Sequence, residues 1–156
     1  MIISTSGQLT LKADVTPADA GATGKYTIGP NGQSLSIPSD ADMVYSAALA
    51  LASGVGKVYE PDVHTYDSAA LLSPDGLAVS VDTIYAIVLY NTDATVSATF
   101  TSANFGTTAW AGTLQPGATA MLWFPAGLTI GATATITLTG QSGTPTVRVT
   151  CIGKAA

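Results

Sequence analysis

The second half of the chain is a succession of short extended runs, each ended by turn-forming residues. Segments such as Asn91-Thr92-Asp93, Gln115-Pro116-Gly117 and Pro125-Ala126-Gly127 separate these runs at roughly ten-residue intervals. The candidate strands are 77–81, 83–90, 95–101, 107–114, 118–124, 132–139 and 146–152. Short strands at this spacing predict an all-β fold, either an antiparallel β-sandwich or a barrel.

Alternation within these runs indicates which face of each strand is buried. In 132–139, Ala134, Ile136 and Leu138 alternate with threonines. In 146–152, Val147, Val149 and Cys151 alternate with Thr146, Arg148 and Thr150. A strand of this kind buries one face and exposes the other. The run 84–90 is apolar on both faces, which predicts a central strand that is covered on both sides.

The first third of the chain gives a weaker pattern. Turn formers break residues 1–40 into short extended candidates at 8–13, 25–28 and 34–37, so we interpret residues 1–40 as an irregular N-terminal arm or edge ribbon and 41–156 as a single β-sandwich domain. Residues 41–53 fit a helix and a strand equally well. The helix would have a capping box at Ser39 and Asp42 and would stop at Gly54, and the strand would begin at Met43. We expect 55–66 to be extended and 67–72 to form a turn or a single helical turn.

Charge is unusually scarce. Charged residues make up 10% of the chain and the net charge is −5, whereas globular proteins average about 25% charged residues. Between Ala94 and Val147 there is no Asp, Glu, Lys, Arg or His. Monomeric β-proteins protect their edge strands with charges, so this span predicts a surface that neighbouring subunits cover in a homo-oligomer.

Several function classes are disfavoured by the same composition. The cations are scattered, at Lys12, Lys25, Lys57, Arg148 and Lys154, so we expect no nucleic-acid partner. The most apolar stretch, 43–56, is shorter than the ~20 residues that span a bilayer, and the N-terminus has no signal-peptide pattern. No phosphate-binding glycine loop or nucleophile elbow is present. We therefore predict a soluble protein that is not an enzyme and has no cofactor.

The acidic residues offer three groups that could carry chemistry, one possible metal site and two carboxylate pairs. In an extended chain Glu60, Asp62, His64 and Tyr66 share one side, where they could hold calcium or a transition metal. One strand supplies only part of a coordination sphere, so we expect a solvated polar face and no metal site. The carboxylate pairs Asp14 with Asp19 and Asp40 with Asp42 suit turns and caps better than glycoside hydrolysis.

Aromatic residues and the single cysteine complete the candidates. Trp110 and Trp123, with Tyr85 and Tyr90, could form a stacking platform for sugars. We favour packing or a contact between subunits, because a tryptophan among small neighbours usually fills the space that they leave. Cys151 alternates with valines, so we expect a buried and unreactive thiol. We predict no catalytic residues.

The order of turns and strands from Tyr66 to Gly153 follows a recognisable pattern. Asp67 and a leucine pair precede Gly76, and an all-apolar strand then ends in Asn91-Thr92-Asp93. A threonine-rich strand, a neutral loop to 112–118, an apolar strand to 125–127 and two further strands follow. This pattern resembles the small β-sandwich virion proteins of tailed bacteriophages, which decorate capsids or build appendages.

The resemblance implies a jelly-roll-like domain whose outer surface meets neighbouring subunits, and it brings no catalytic residues. We therefore expect a structural protein located in the virion. It would decorate or cement the capsid as a symmetric oligomer, with a trimer as the expected stoichiometry and the major capsid protein among its partners. The alternative is a carbohydrate- or cell-surface-binding module that uses Trp110 or Trp123.

Overall fold

The computed structural model describes residues 25–28, 33–36, 41, 43–63, 65–71, 80–106, 109–131 and 133–155. Over these residues the regular structure is entirely β, as the spacing of turns predicted. None of their segments is a helix long and apolar enough to cross a membrane. The strands are β1 (Lys25–Ile28), β2 (Gln33–Ser36), β3 (Met43–Ala50), β4 (Lys57–Glu60), β5 (Thr65–Tyr66), β6 (Ala69–Ala70), β7 (Val81–Asn91), β8 (Ala98–Ala103), β9 (Ala111–Leu114), β10 (Thr119–Thr129), β11 (Thr135–Gly140) and β12 (Thr146–Ala155).

The strands form two large antiparallel sheets and one small one. The first sheet has the order β10-β7-β12-β3, and the second has the order β6-β5-β4-β11-β8-β9. β1 and β2 pair with each other. In the two large sheets, most consecutive strands lie in different sheets, and neighbours such as β3 and β12 are distant in sequence. With the hairpin extension β5-β6 set aside, the eight strands have jelly-roll order. The predicted jelly-roll-like sandwich is confirmed.

The core lies between the two sheets. The first sheet contributes Leu49, Ile84, Ile87, Leu89, Val147, Val149 and Cys151, and the second contributes Tyr59, Ala98, Phe100, Leu114, Ile136 and Leu138. All of these side chains are almost fully buried. The alternation in β11 and β12 therefore identified the inward faces correctly, because strand side chains point to opposite faces in turn.

A second apolar group lies on the opposite face of the first sheet. Tyr85, Ala86, Val88 and Ile152 are buried but do not belong to the core between the sheets. We call these four residues the outer cluster. Ile87 and Leu89 point into the core, so Val88 between them points outward. β7 lies between β10 and β12 and its residues 84–89 are all buried, which confirms the prediction of a central strand with two buried faces.

Irregular positions in β7, β10 and β12 shape this sheet. The pairing of β10 with β7 shifts between Trp123 and Leu128, and the pairing of β12 with β7 shifts between Ile152 and Gly153. Gly127 has a φ of 75° in the first irregularity, a conformation that glycine adopts without strain. A Cβ on Gly153 would lie 2.5 Å from the carbonyl oxygen of Thr83, so only glycine fits that close approach.

Several boundaries differ from the sequence-based expectation. Residues 43–50 are strand, which resolves the open choice in favour of β3. The extended run expected at 55–66 is broken by a turn at 61–63, and part of the turn expected at 67–72 is β6. β8 begins at Ala98 instead of 95, because the Asp93 carboxylate accepts the backbone N–H groups of Thr95 and Val96 and holds them in a loop. The candidate at 8–13 lies outside the described residues.

Candidate functional site

The acidic segment that suggested a metal site folds as a hairpin. β4 ends at Glu60, the chain turns at 61–63, and β5 returns with Thr65 paired to Glu60. The Thr65 hydroxyl donates to the Glu60 carboxylate. The expectation that residues 60 to 66 lie along one extended strand is therefore wrong, because a buried Pro61 stands at the turn and reverses the chain. His64 lies outside the described residues.

Most of the other polar side chains of this hairpin have partners. Lys57 forms an ion pair with Asp67, and the Tyr66 hydroxyl donates to the Ala50 carbonyl oxygen at 2.7 Å. Burial, with a further contribution from the Asp67 charge, raises the pKa of Tyr66 to about 12. One oxygen of Asp62 is buried and has no hydrogen-bond partner among the described residues. No three His, Cys, Asp or Glu side chains of the described chain converge as a metal site would require.

The other carboxylate candidates are not placed by the structure. Asp14, Asp19, Asp40 and Asp42 all lie outside the described residues.

Trp110 packs against the core. Its ring centroid lies 4.5 Å from that of Phe100, with the ring planes tilted by 54°. Its backbone N–H donates to the Ser102 hydroxyl at 2.8 Å, and the Ser102 N–H donates to its carbonyl oxygen at 2.7 Å. Trp110 thus closes the edge of the sandwich between β8 and β9, in the packing role that its small neighbours indicated.

The remaining aromatic candidates lie on the first sheet. Ala120 and Phe124 of β10 pack against the core, so Trp123 points to the outer face. Trp123 is half-buried there, Tyr85 is buried and Tyr90 is 41% exposed. Among the aromatic side chains that the structure describes, Tyr90 is the only exposed one. A row of open rings of the kind that stacks on sugars is not formed by these residues.

Cys151 is buried in the core, as its alternation with valines predicted. Burial raises the pKa of the Cys151 thiol to about 12, although a hydrogen bond from Tyr59 acts in the opposite direction. The thiolate is the reactive form of cysteine. At neutral pH Cys151 is therefore a neutral, inaccessible side chain with a packing role.

We expect native Cys151 to resist thiol reagents. With a pKa of about 12, the thiolate fraction at pH 8 is on the order of one in ten thousand, and burial blocks access as well. Ellman's reagent at pH 8 should give no rapid reaction with the folded protein and one thiol per chain in guanidinium chloride. Rapid stoichiometric labelling without denaturant would show that the core around Cys151 opens readily.

Asn91 is a buried polar residue whose role was not predicted from the sequence. It is fully buried at the end of β7. Its Nδ2 lies 2.8 Å from the Val96 carbonyl oxygen, 3.1 Å from that of Leu114 and 3.3 Å from that of Gln115. Its Oδ1 accepts the Asp93 N–H at 3.1 Å. Asn91 thus joins the loop after β7 to the connection between β9 and β10. From its position after an apolar strand, the sequence predicted only a turn.

Asp93 completes this arrangement. One oxygen of its carboxylate accepts the N–H groups of Thr95 and Val96, both at 2.8 Å, and the Thr95 hydroxyl at 3.1 Å. These backbone hydrogen bonds hold the pKa of Asp93 below its ordinary value. Buried or self-satisfied polar groups of this kind fix a loop and leave little capacity for a ligand.

The most unusual surface is the side of the sandwich at which β9 and β10 lie. Each is the edge strand of its sheet, and the short connection 115–118 joins them on the same side. We call this surface the neutral side, because no charged residue or histidine occurs in either strand or in their connection. Lys57, Glu60 and Asp67 lie toward the opposite edge, on and beside β4 and β5. No family model, curated protein or solved structure matches the chain.

Proposed function

We propose that the protein is a structural component of a tailed-phage virion, which decorates or cements the capsid through contacts between its own copies and with other virion proteins. The neutral side carries this proposal. It presents two edge strands without charge, and edge strands left in this state are templates for pairing with another chain. A protein that stays monomeric usually protects such edges, whereas a permanent assembly uses them.

The fold and composition support the same proposal. A jelly roll is a sandwich that viral structural proteins use repeatedly, and the pattern from Tyr66 to Gly153 resembles phage virion proteins. Low charge allows neighbouring copies to approach closely with little desolvation of charged groups. A stable interface of standard size buries about 1,600 Å². The described residues bring together no set of acids, bases or nucleophiles that would suggest catalysis instead.

The alternative, a carbohydrate-binding module, has less support. Trp110, its first candidate residue, is packed on Phe100, and Trp123 is half-buried. Glycan-array binding together with quenching of tryptophan fluorescence would favour this alternative.

The test is to measure whether the protein is present in virions. Particles produced from the genome that encodes this chain should be purified on a density gradient and analysed by quantitative mass spectrometry. We expect a constant molar ratio of this protein to the major capsid protein across independent preparations. A non-structural protein of the same lysate serves as the control for carry-over. Absence of the chain from intact particles, or a ratio as variable as that of the control, would overturn the proposal.

A further inference from the structure

We infer that two copies of this chain associate through their β10 strands, which pair in antiparallel orientation about a two-fold axis at Met121. The inference deepens the proposed function, because it names the surface through which copies meet. It is carried by the register of β10, the direction of its free backbone groups and the lack of charge around them.

The register of β10 shows which of its backbone groups have no partner among the described strands. The Asn91 N–H donates to the Ala118 carbonyl oxygen at 3.0 Å, and Thr119 lies opposite Tyr90 in the ladder. Hydrogen-bonded and non-hydrogen-bonded pairs alternate along an antiparallel ladder. Ala120 and Leu122 therefore direct their backbone groups toward β7. Thr119, Met121 and Trp123 direct theirs away from the sheet.

These outward groups match a second copy of themselves. A two-fold axis at Met121 places Thr119 opposite Trp123 of the second copy and Met121 opposite its own counterpart. Each of these three pairs is of the hydrogen-bonded type and contributes two backbone bonds, about six in all. A register displaced by two residues would leave some of these backbone groups unpaired. The register centred on Met121 pairs all of them, and for this reason we choose it.

The neighbouring side chains do not oppose this contact. Thr119, Met121 and Trp123 lie on the outer face, and after pairing they form a continuous row with those of the second copy. The uncharged edge of the second sheet, β9, lies on the same side of the sandwich and adds to the interface. The irregularity after Trp123 and the exposed Pro125 end the regular stretch, since proline cannot donate to a ladder. The pairing is therefore confined to 119–123.

A two-fold contact of this kind is closed, because both copies use the same strand. It gives a dimer, the smallest assembly in which the contact is complete. The inference therefore replaces the expected trimer with a dimer as the basic unit.

The test compares the native chain with substitutions at Met121. Light scattering at micromolar concentration should give twice 15.6 kDa for the native protein. Met121→Pro removes an N–H that points away from β7, so it should leave the fold intact and reduce the mass to that of one chain. Met121→Lys places two ammonium groups opposite each other at the axis and should have the same effect. Met121→Leu retains both the N–H and the apolar side chain, so it should remain dimeric.

The outcomes separate this inference from the proposed function. A native monomer, a native trimer, or a dimer that survives both Met121→Pro and Met121→Lys with native circular dichroism would overturn β10 pairing. If Met121→Pro fails to fold, Met121→Lys alone decides between these results. Presence of the chain in virions is measured independently, so the proposed function stands or falls on its own experiment.

Discussion

Asn91→Ala is expected to lower the melting temperature of the protein by roughly 10 °C. The substitution removes the Nδ2 donor that contacts the carbonyl oxygens of Val96, Leu114 and Gln115 and the Oδ1 acceptor for Asp93. The Gln115 carbonyl oxygen still accepts the Ala118 N–H, but the buried bond to Leu114 and the bonds to Val96 and Asp93 are lost, at a cost of about 3 kcal/mol in the free energy of unfolding. In a domain of this size each kcal/mol corresponds to about 2–4 °C.

The measurement is a thermal melt followed by circular dichroism, with two companion variants. Thr92→Ala is the matched control, because the adjacent exposed residue loses one hydroxyl bond to the Thr146 carbonyl oxygen at 2.9 Å and should change stability by less than about 1 kcal/mol. Asn91→Asp retains the shape but places an acceptor against the carbonyl groups, so it should be at least as destabilising as the alanine. Equal melting temperatures for Asn91→Ala and Thr92→Ala would show that the Asn91 contacts contribute little.

Val88→Asp is expected to destabilise the protein by about 3–5 kcal/mol, enough to unfold a marginal domain. The outer face of a sandwich usually tolerates a charge, but Val88 is only 6% exposed. It lies opposite Met121 on β10 and Thr150 on β12. The nearest cation in the register is Arg148, whose side chain is exposed. The introduced carboxylate would have to leave its buried position to meet it.

Chemical denaturation in urea measures this effect. The control is Tyr90→Asp. Tyr90 lies two positions along the same face and is 41% exposed, so this substitution should lower the free energy of unfolding by less than about 1 kcal/mol. Val88→Thr has nearly the same volume without a charge, so it should fall between the two. A soluble Val88→Asp variant as stable as Tyr90→Asp would mean that the outer cluster is open to solvent.

Strict alternation predicted the inward faces of the strands well, since burial on one face requires a period of two. Ile136, Leu138, Val147 and Val149 were placed correctly for this reason. Residues 41–53 could not be decided in the same way. Their side chains are apolar or small at almost every position, so no period distinguishes a strand from a helix, and pairing of β3 with β12 decides the matter.

The candidate sites were predicted less well than the inward faces. Glu60 and Tyr66 share a face only if the chain between them stays extended, and the hairpin at Pro61 removes that condition. The role of Asn91 was not predicted, because two of its partners, Leu114 and Gln115, lie more than twenty positions further along the chain. Contacts between loops of different sheets leave no local pattern in the sequence. The uncharged span, by contrast, was visible directly, and the fold adds that it includes two free edges on one side.

The pairing of β3 with β12 has a consequence for the order in which the molecule forms. Ala50 pairs with Thr146, about one hundred positions further on, and such distant contacts slow folding because a long loop has to close first. Synthesis proceeds from the N-terminus, so β3 lacks the strand that it pairs with, β12, until β12 leaves the ribosome. In the last part of that interval β8, β9 and β10 are already present as uncharged nascent strands. The chain therefore passes through a stage in which it exposes more unpaired strand than the folded sandwich does, and the pairing of β12 with β3 and β7 ends that stage.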